Sequence, residues 1–386
     1  MKPMRFGLVG YKFMGKAHAN ALSRLPMFFE TDARVERSVL CGRDARWLEQ
    51  AAQTLGFGKT ETDWRKLVAR EDVDAIDITA PSNAHKEIAL AAIKEGKHVF
   101  CEKPLALTAD DAREMREAAD KAGVANQVGF NYRFAPAMAL AKRIIDEGKI
   151  GKVFHFRGSF LQDWIIDPEF PKVWRLDKSV CGSGSLGDLG AHVIDAARYL
   201  LGDIAEVVGD QITFVKERPV VERMTGLSGK ADANAPRAIV DVDDATSFIA
   251  RFENGAMGLF EATRFAQGHK NDFRLEINGE KGSLRFEFER MNELWYFNAG
   301  DEPGEQGWRM IQVSEGVHPY WDKWWPAGHV IGFPETFVHE LYEFAQCAAQ
   351  GRPCSPSFAD GEAVARIMDA VELSSQRRAW VSVGEI

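Results

Sequence analysis

A chain of 386 residues is longer than one hydrophobic core usually fills, so two domains are expected. Its 45% hydrophobic and 27% charged residues are ordinary for a globular protein, and a net charge of -9 with no long basic stretch argues against nucleic acid as a partner. The apolar runs are too short to span a bilayer, a strand that opens at Met4 leaves no place for a signal peptide, and the five scattered cysteines lack metal spacing, so a cytoplasmic protein with reduced thiols, no membrane partner and no metal is expected.

Met4–Gly10 reads as a buried strand and Phe13–Leu25 as a helix. Arg34–Cys41 is a second strand and Ala45–Leu55 a helix with apolar spacing. Asp74–Thr79 is a third strand, ended by Pro81, and Asn83–Lys94 is a helix that Asn83 can cap and Gly96 stops. Strand Lys97–Cys101, helix Thr108–Lys121, strand Val124–Gly129 and helix Phe134–Glu147 follow. This alternation over residues 1–130 predicts a Rossmann domain, a doubly wound α/β fold on a parallel sheet.

Beyond Gly151 the texture changes. Val153–Leu161, Ala245–Arg251, Ala256–Thr263, Phe273–Ile277 and Ser283–Phe288 alternate in polarity and are separated by turn residues. One helix, roughly Asp188–Leu201, interrupts them; Glu217–Arg237 reads as a long excursion and His318–Gly332 as a loop. Helices Glu335–Gln350 and Asp360–Gln376 close the chain. Residues 131–386 are therefore expected to form an α+β domain with a large, mostly antiparallel, open-faced sheet.

The strongest local signal is Gly10-Tyr11-Lys12-Phe13-Met14-Gly15, between the first strand and the first helix. A tight turn needs Gly10, close helix packing needs Gly15, and the helix amides then face a pyrophosphate. Lys12 replaces the middle glycine of the usual fingerprint, which weakens the match but sets a cation beside the phosphates. At the tip of the second strand, Gly42 stands where an acid would bind the ribose of NAD, and Arg43 beside it suits the 2′-phosphate of NADP. Asp44 can still reach a ribose, so the preference between NAD and NADP stays open.

Two segments carry the chemistry. Cys101-Glu102-Lys103-Pro104 ends the fourth expected strand, and ligands of open α/β sheets bind beyond the carboxyl ends of strands. Gly187-Asp188-Leu189-Gly190-Ala191-His192 sets a carboxylate and an imidazole four residues apart on an opening helix, where a carboxylate orients imidazole and raises its basicity. Together with Gly15-Lys16-Ala17-His18 and Pro81-Ser82-Asn83-Ala84-His85, these motifs make the chain resemble the glucose-fructose oxidoreductase, inositol dehydrogenase and rhizopine catabolism (Gfo/Idh/MocA) family over nearly its whole length. Pro26-Met27-Phe28-Phe29, Leu161-Gln162-Asp163-Trp164 and Ser355-Pro356-Ser357-Phe358 resemble the members that act on anhydrosugars.

The resemblance implies an NAD(P)-dependent dehydrogenase that oxidises a secondary ring hydroxyl, C3 being one candidate, of a sugar, anhydrosugar, glycoside or cyclic polyol. It implies that His192 takes the hydroxyl proton, that Lys103 steadies the same oxygen, and that Asp188 orients substrate or imidazole. Either Lys103 or His192 can serve as the proton acceptor. Tyr132, Arg133, Gln162 and Trp164 match positions that line the sugar pocket. Trp174 and Arg175 are implied beside the nicotinamide, and Ala80, Pro81, Asn83, His85 and Glu102 along the cofactor, with Lys12, Phe13 and Met14 at its phosphates. A dimer or tetramer is implied, because relatives pair the open sheet face.

Two other functions fit the same frame: a glycosidase that retains NAD and oxidises the sugar only transiently, and a regulator that binds dinucleotide without turnover. A regulator has no need of the Lys and His retained here. Blander roles compete for single residues. His85 suits a structural or cofactor-edge position, His318 and His329 suit loop hydrogen bonds, and the Trp321, Trp324 and Trp325 cluster suits either a sugar lid or a subunit interface. Asp241, Asp243 and Asp244 fit no calcium loop and read as a solvated strand entry.

Overall fold

The computed structural model describes residues 1–221 and 235–386. Contacts divide the chain into two compact units, Met1–Phe134 with Gly332–Ala365, and Ala135–Ile331 with Arg366–Ile386. Among the described residues, no helix is long and apolar enough to cross a membrane.

The first unit is built on six parallel strands: β1 (Pro3–Val9), β2 (Arg34–Cys41), β3 (Lys59–Glu61), β4 (Ala75–Ile78), β5 (His98–Glu102) and β6 (Asn126–Gly129). Their order is β3-β2-β1-β4-β5-β6. Connections leave β1 toward β2 on one side and return to β4 on the other, so the crevice between the ends of β1 and β4 is the switch point where such sheets bind ligands. Five helices join the strands: α1 (Phe13–Phe28), α2 (Ala45–Leu55), α3 (Trp64–Val68), α4 (His85–Lys94) and α5 (Ala109–Ala122). Pro26 is tolerated near the end of α1. Strand β3 has three polar or half-buried residues at an edge, too few for an alternating signal, and was not expected from sequence. Asn83 does not cap α4. It lies in a 3-10 turn, Ser82–Ala84, and α4 begins after Ala84 with no side-chain cap. The helix Phe333–Gln350 belongs to this unit as well, and its Phe344 packs edge-on against Phe6 and Phe100 of the sheet.

The second unit begins with α6 (Pro136–Asp146) and β7 (Val153–Leu161), then α7 (Lys178–Cys181) and α8 (Ala191–Leu201). Strands β8 (Ile204–Ile212), β9 (Glu217–Pro219), β10 (Arg237–Ile239), β11 (Ala245–Phe252), β12 (Met257–Thr263), β13 (Asp272–Gly279), β14 (Gly282–Glu287), β15 (Glu293–Asn298) and β16 (Trp308–Gln312) follow. Of the later helices, α9 (Phe333–Gln350) belongs to the first unit, the second unit takes the part of α10 (Phe358–Arg377) from Arg366 onward, and its last strand is β17 (Val381–Ser382). Nine strands form one sheet in the order β16-β15-β14-β13-β7-β12-β11-β8-β17. Every pairing is antiparallel except that of β12 with β7.

Alternation gives the sheet two unlike faces. Phe248 and Phe260 stack at 4.4 Å on the buried face, with Phe156 and Phe252 beside them. Ile249, Met257 and Leu259 stand exposed on the other, Ile249 opposite Leu259. The two ends of the expected excursion Glu217–Arg237 pair as β9 and β10, while its residues 222–234 lie outside the described residues.

Candidate active site

In the first unit the glycine turn has the build of a phosphate cradle. Gly10 has φ +105°, and a Cβ there would stand 2.6 Å from Thr79 Oγ1. A Cβ on Gly15 would stand 2.2 Å from the Gly10 carbonyl oxygen, so both positions admit only glycine. Lys12 occupies the N-cap of α1 with no side-chain cap, and no acid lies in the first turn. The opening amides and the positive end of the helix dipole are thus left for an anion. These residues fit a dinucleotide pyrophosphate. Lys12 and Phe13 are exposed, and Met14 half-buried.

The tip of β2 is shaped by packing. A Cβ on Gly42 would lie 2.2 Å from the Tyr11 ring, so the ring of the first turn is seated against the second strand. Asp44 is the N-cap of α2 and accepts from the Trp47 N–H at 3.3 Å, and Arg43 is exposed beside it. Beyond the end of β4, Ala80 and Pro81 are half-buried and Asn83 is exposed.

The Glu102-Lys103-Pro104 segment at the end of β5 is held from two directions. The buried His85 ring sets Nδ1 3.0 Å from the Pro104 carbonyl oxygen and Nε2 2.9 Å from that of Ala80; burial pushes this imidazole down, toward the neutral ring. The Lys103 N–H donates to Glu102 Oε2 at 3.2 Å. Glu102 Oε1 in turn faces Nε2 of His18 at 2.9 Å, and His18 Nδ1 faces both oxygens of Asp77 at 2.9 and 3.0 Å. His18 and Asp77 are completely buried. The sequence offered one signal for this cluster that its reading passed over: Asp77 is a charge inside the apolar run Ala75-Ile76-Asp77-Ile78. Arg133 is buried too, with Nη2 3.2 Å from Asp360 Oδ1 and Nη1 3.4 Å from Ser355 Oγ, and Tyr132 is buried beside it in sequence.

In the second unit Asp188 and His192 do not open one regular helix. Leu186–Gly190 forms a π-helical turn, after which α8 starts at Ala191, so Asp188 lies in the wide turn and His192 in the helix proper. Such turns widen the backbone at functional positions. Asp188 is flanked by two guanidinium groups, with Arg264 Nη1 3.7 Å from Oδ2 and Arg175 Nε 3.9 Å from Oδ1. Arg264 is completely buried. His192 is buried near Phe160, their ring centroids 6.1 Å apart.

The acidic run near residue 243 is not a solvated strand entry. Asp241 is exposed, but Asp243 and Asp244 are buried. Asp243 accepts from the N–H groups of Gly184 and Leu186 at 2.7 and 2.8 Å, from Ser185 Oγ at 2.5 Å and from Thr246 Oγ1 at 2.7 Å. Four donors on one carboxylate repay its desolvation and fix the loop that enters the π turn. Asp244 accepts from the N–H groups of Phe214 and Val215, while burial pushes its carboxyl up. Sequence alone cannot distinguish this use of acids from exposure.

Trp164 and Trp174 border an apolar cluster that includes Ile165, Phe170 and Leu176, and the Arg175 guanidinium lies 4.4 Å from the Trp174 ring centre. Gln162 Nε2 donates to Asn271 Oδ1 at 3.1 Å. Trp321 is buried, its indole N–H donating to the Trp325 carbonyl oxygen, whereas Trp325 is exposed. His318 Nδ1 accepts from the Glu315 N–H, and His329 Nδ1 meets the Pro326 carbonyl oxygen, both loop hydrogen bonds.

A doubly wound sheet with a built pyrophosphate turn, joined to an open-faced α+β unit, defines a dinucleotide-dependent oxidoreductase. The model of the oxidoreductase family with an NAD-binding Rossmann fold (GFO/IDH/MocA) matches residues 4–130, and the model of the GFO/IDH/MocA C-terminal domain matches residues 138–285; the chain belongs to this family. It is 42% identical over 395 residues to levoglucosan dehydrogenase of Pseudarthrobacter phenanthrenivorans, covering 100% of both chains. Among solved structures, an oxidoreductase domain protein from Kribbella flavida superposes with a TM-score of 0.94 at 49% identity, covering 99% of this chain and 100% of that one. A levoglucosan dehydrogenase in complex with NADH and levoglucosan superposes with a TM-score of 0.93 at 41% identity, with the same coverage.

Proposed function

We propose that the protein is an NAD-dependent dehydrogenase that oxidises a secondary ring hydroxyl of a sugar to a ketone, with the anhydrosugar levoglucosan as the first candidate and C3 as the oxidised carbon. The observation that carries this reading is the 42% identity to levoglucosan dehydrogenase over the whole of both chains. It is supported by the presence here of Lys103, Asp188 and His192.

When bound, the nicotinamide supplies the hydride acceptor. The chain's own work is placement and proton handling. His192 takes the hydroxyl proton. Lys103 donates to the same oxygen and stabilises the negative charge that grows on it. Asp188, steadied by Arg264 and Arg175, orients the substrate hydroxyl or the imidazole. Trp164 offers a flat face to the sugar ring, with Gln162, Tyr132 and Arg133 supplying polar and aromatic contacts. Gly10, Lys12, Phe13, Met14 and Gly15 hold the pyrophosphate, and Gly42 and Arg43 border the adenosine ribose. Ala80, Pro81, Asn83, His85, Glu102, Trp174 and Arg175 complete the cofactor's surroundings. The exposed row Ile249, Met257 and Leu259 needs a cover, and pairing with a second copy supplies it.

The test is a reduced-cofactor absorbance screen over levoglucosan, inositols and glycosides, run with NAD and with NADP. Levoglucosan is expected to give a burst of reduced cofactor, and Lys103→Ala and His192→Ala each to lower kcat by about 10²-fold or more with cofactor still bound. Glycoside cleavage without net reduced cofactor, or turnover unchanged in both variants, overturns the proposal.

A further inference from the structure

The residues assigned above leave one chemistry-bearing cluster unused. His18 lies on α1, one helical turn beyond the Gly10–Gly15 cradle, and is sealed inside the first unit. It touches two carboxyl groups from two strands, Asp77 of β4 and Glu102 of β5. A ring with a carboxyl group at each nitrogen satisfies both by carrying two N–H groups, or by donating to one and accepting the proton of the other. The carboxyl groups push the imidazole well above its ordinary range despite the opposing effect of burial. Other ionisable groups face the cluster from neighbouring elements. Glu340 on α9 is completely buried, and neither of its oxygens has a hydrogen-bond partner among the described residues. Burial pushes its carboxyl well above the carboxylate range, and burial likewise pushes up the Cys101 thiol on β5. Burial pushes the Asp77 carboxyl up as well, against the pull of the ring beside it.

The geometry leads from this ring to the catalytic strand end. Glu102 spends Oε1 on His18 and Oε2 on the Lys103 N–H. Gly129 on β6 leaves room for that carboxylate, since a Cβ there would stand 3.0 Å from Glu102 Oε1. With Oε1 held by His18, Oε2 stands at the Lys103 peptide. Freed from His18, Glu102 can turn away and release it.

We propose that His18 is a positioning residue for Lys103: seated between Asp77 and Glu102, it fixes the Glu102 side chain, and through it the peptide that carries the lysine. This rests on the reading of Lys103 as the group that bonds the substrate oxygen. The same ring ties α1, which opens at the nucleotide cradle, to β5, which ends at the lysine.

Two conservative variants separate the ring's two contacts. In His18→Gln the amide nitrogen takes the place of Nε2 and can still donate to Glu102. In His18→Asn it takes the place of Nδ1, donates to Asp77 and falls short of Glu102. His18→Asn is expected to lower kcat about tenfold or more, with KM for the sugar and NADH affinity within about threefold of the parent. His18→Gln is expected to retain kcat within about threefold. Hydrogen exchange at the Lys103 amide, read by NMR on the whole chain, is expected to quicken about tenfold in His18→Asn and to stay protected in His18→Gln. Equal loss in both variants, or an unchanged Lys103 amide in His18→Asn, overturns the proposal. If neither variant folds, ring nitrogen NMR of the parent at neutral pH decides: a protonated Nε2 facing Glu102 is required, and a bare Nε2 overturns it. Failure of the underlying reading shows separately, as full turnover in Lys103→Ala with the amide exchange pattern intact.

Discussion

Arg264 and Asp188 face each other at 3.7 Å in the second unit, the guanidinium completely buried and the carboxylate partly exposed. Arg264 also donates to the main-chain carbonyl oxygens of Arg175 and Asp243 at 3.4 and 3.2 Å. One buried cation therefore ties the π turn to the loop that carries Arg175 and to the entry of β11.

Replacing Arg264 tests this. Arg264→Met keeps length and apolar bulk but removes one of the two guanidinium groups beside Asp188 and the Arg264 donors to the Arg175 and Asp243 carbonyl groups. We expect a loss of stability of about 2 kcal/mol and a fall in kcat of about tenfold, with smaller effects in Arg264→Lys. Thermal melting and steady-state kinetics on the same preparations check both. Parent-like kcat in a folded Arg264→Met would show that Asp188 needs no such support.

Asp243 holds the entry to the same turn through its side-chain carboxylate. In Asp243→Asn the amide group must set its NH2 against donors, either the Gly184 N–H or the trio of Ser185, Leu186 and Thr246. The expected cost is about 3 kcal/mol, read by urea unfolding. An unchanged midpoint would mean the four contacts contribute nothing net.

Glu340 gives the stability a pH dependence of known sign. Its carboxyl is held well above the usual range in the folded chain, while the unfolded chain releases the proton near the ordinary value of about 4.3. The folded state thus binds the extra proton. That contribution is complete below the unfolded value and fades as pH rises toward the folded one, by about 1.4 kcal/mol per pH unit. Glu340→Gln removes the term. The variant is expected to gain stability on the parent as pH rises above the ordinary carboxyl value of about 4.3 in denaturant titrations. A difference that stays constant across that range would contradict a neutral buried carboxyl.

Much of the molecule was legible before any coordinates. The parallel strands announced themselves because a strand buried on both faces is a continuous apolar run, as in Phe6–Val9 and Val99–Cys101. The open-faced sheet announced itself because β11 and β12 alternate with period two. Short or polar strands such as β3, β9 and β10 gave no such periodicity, and the π turn at Leu186–Gly190 is invisible to a pattern that assumes a regular helix.

Local order in the chain thus determined the element types, the glycine cradle at Gly10 and Gly15, and the candidacy of Lys103, Asp188 and His192. Folding alone decided what polar residues far apart in sequence do for one another. His18 finds Glu102 across 84 positions, and Gly184 finds Asp243 across 59. An acid or an imidazole looks the same in sequence whether water or a buried partner satisfies it. Only the packed structure removes the water and so forces each such group to pair, to hold a proton or to go without.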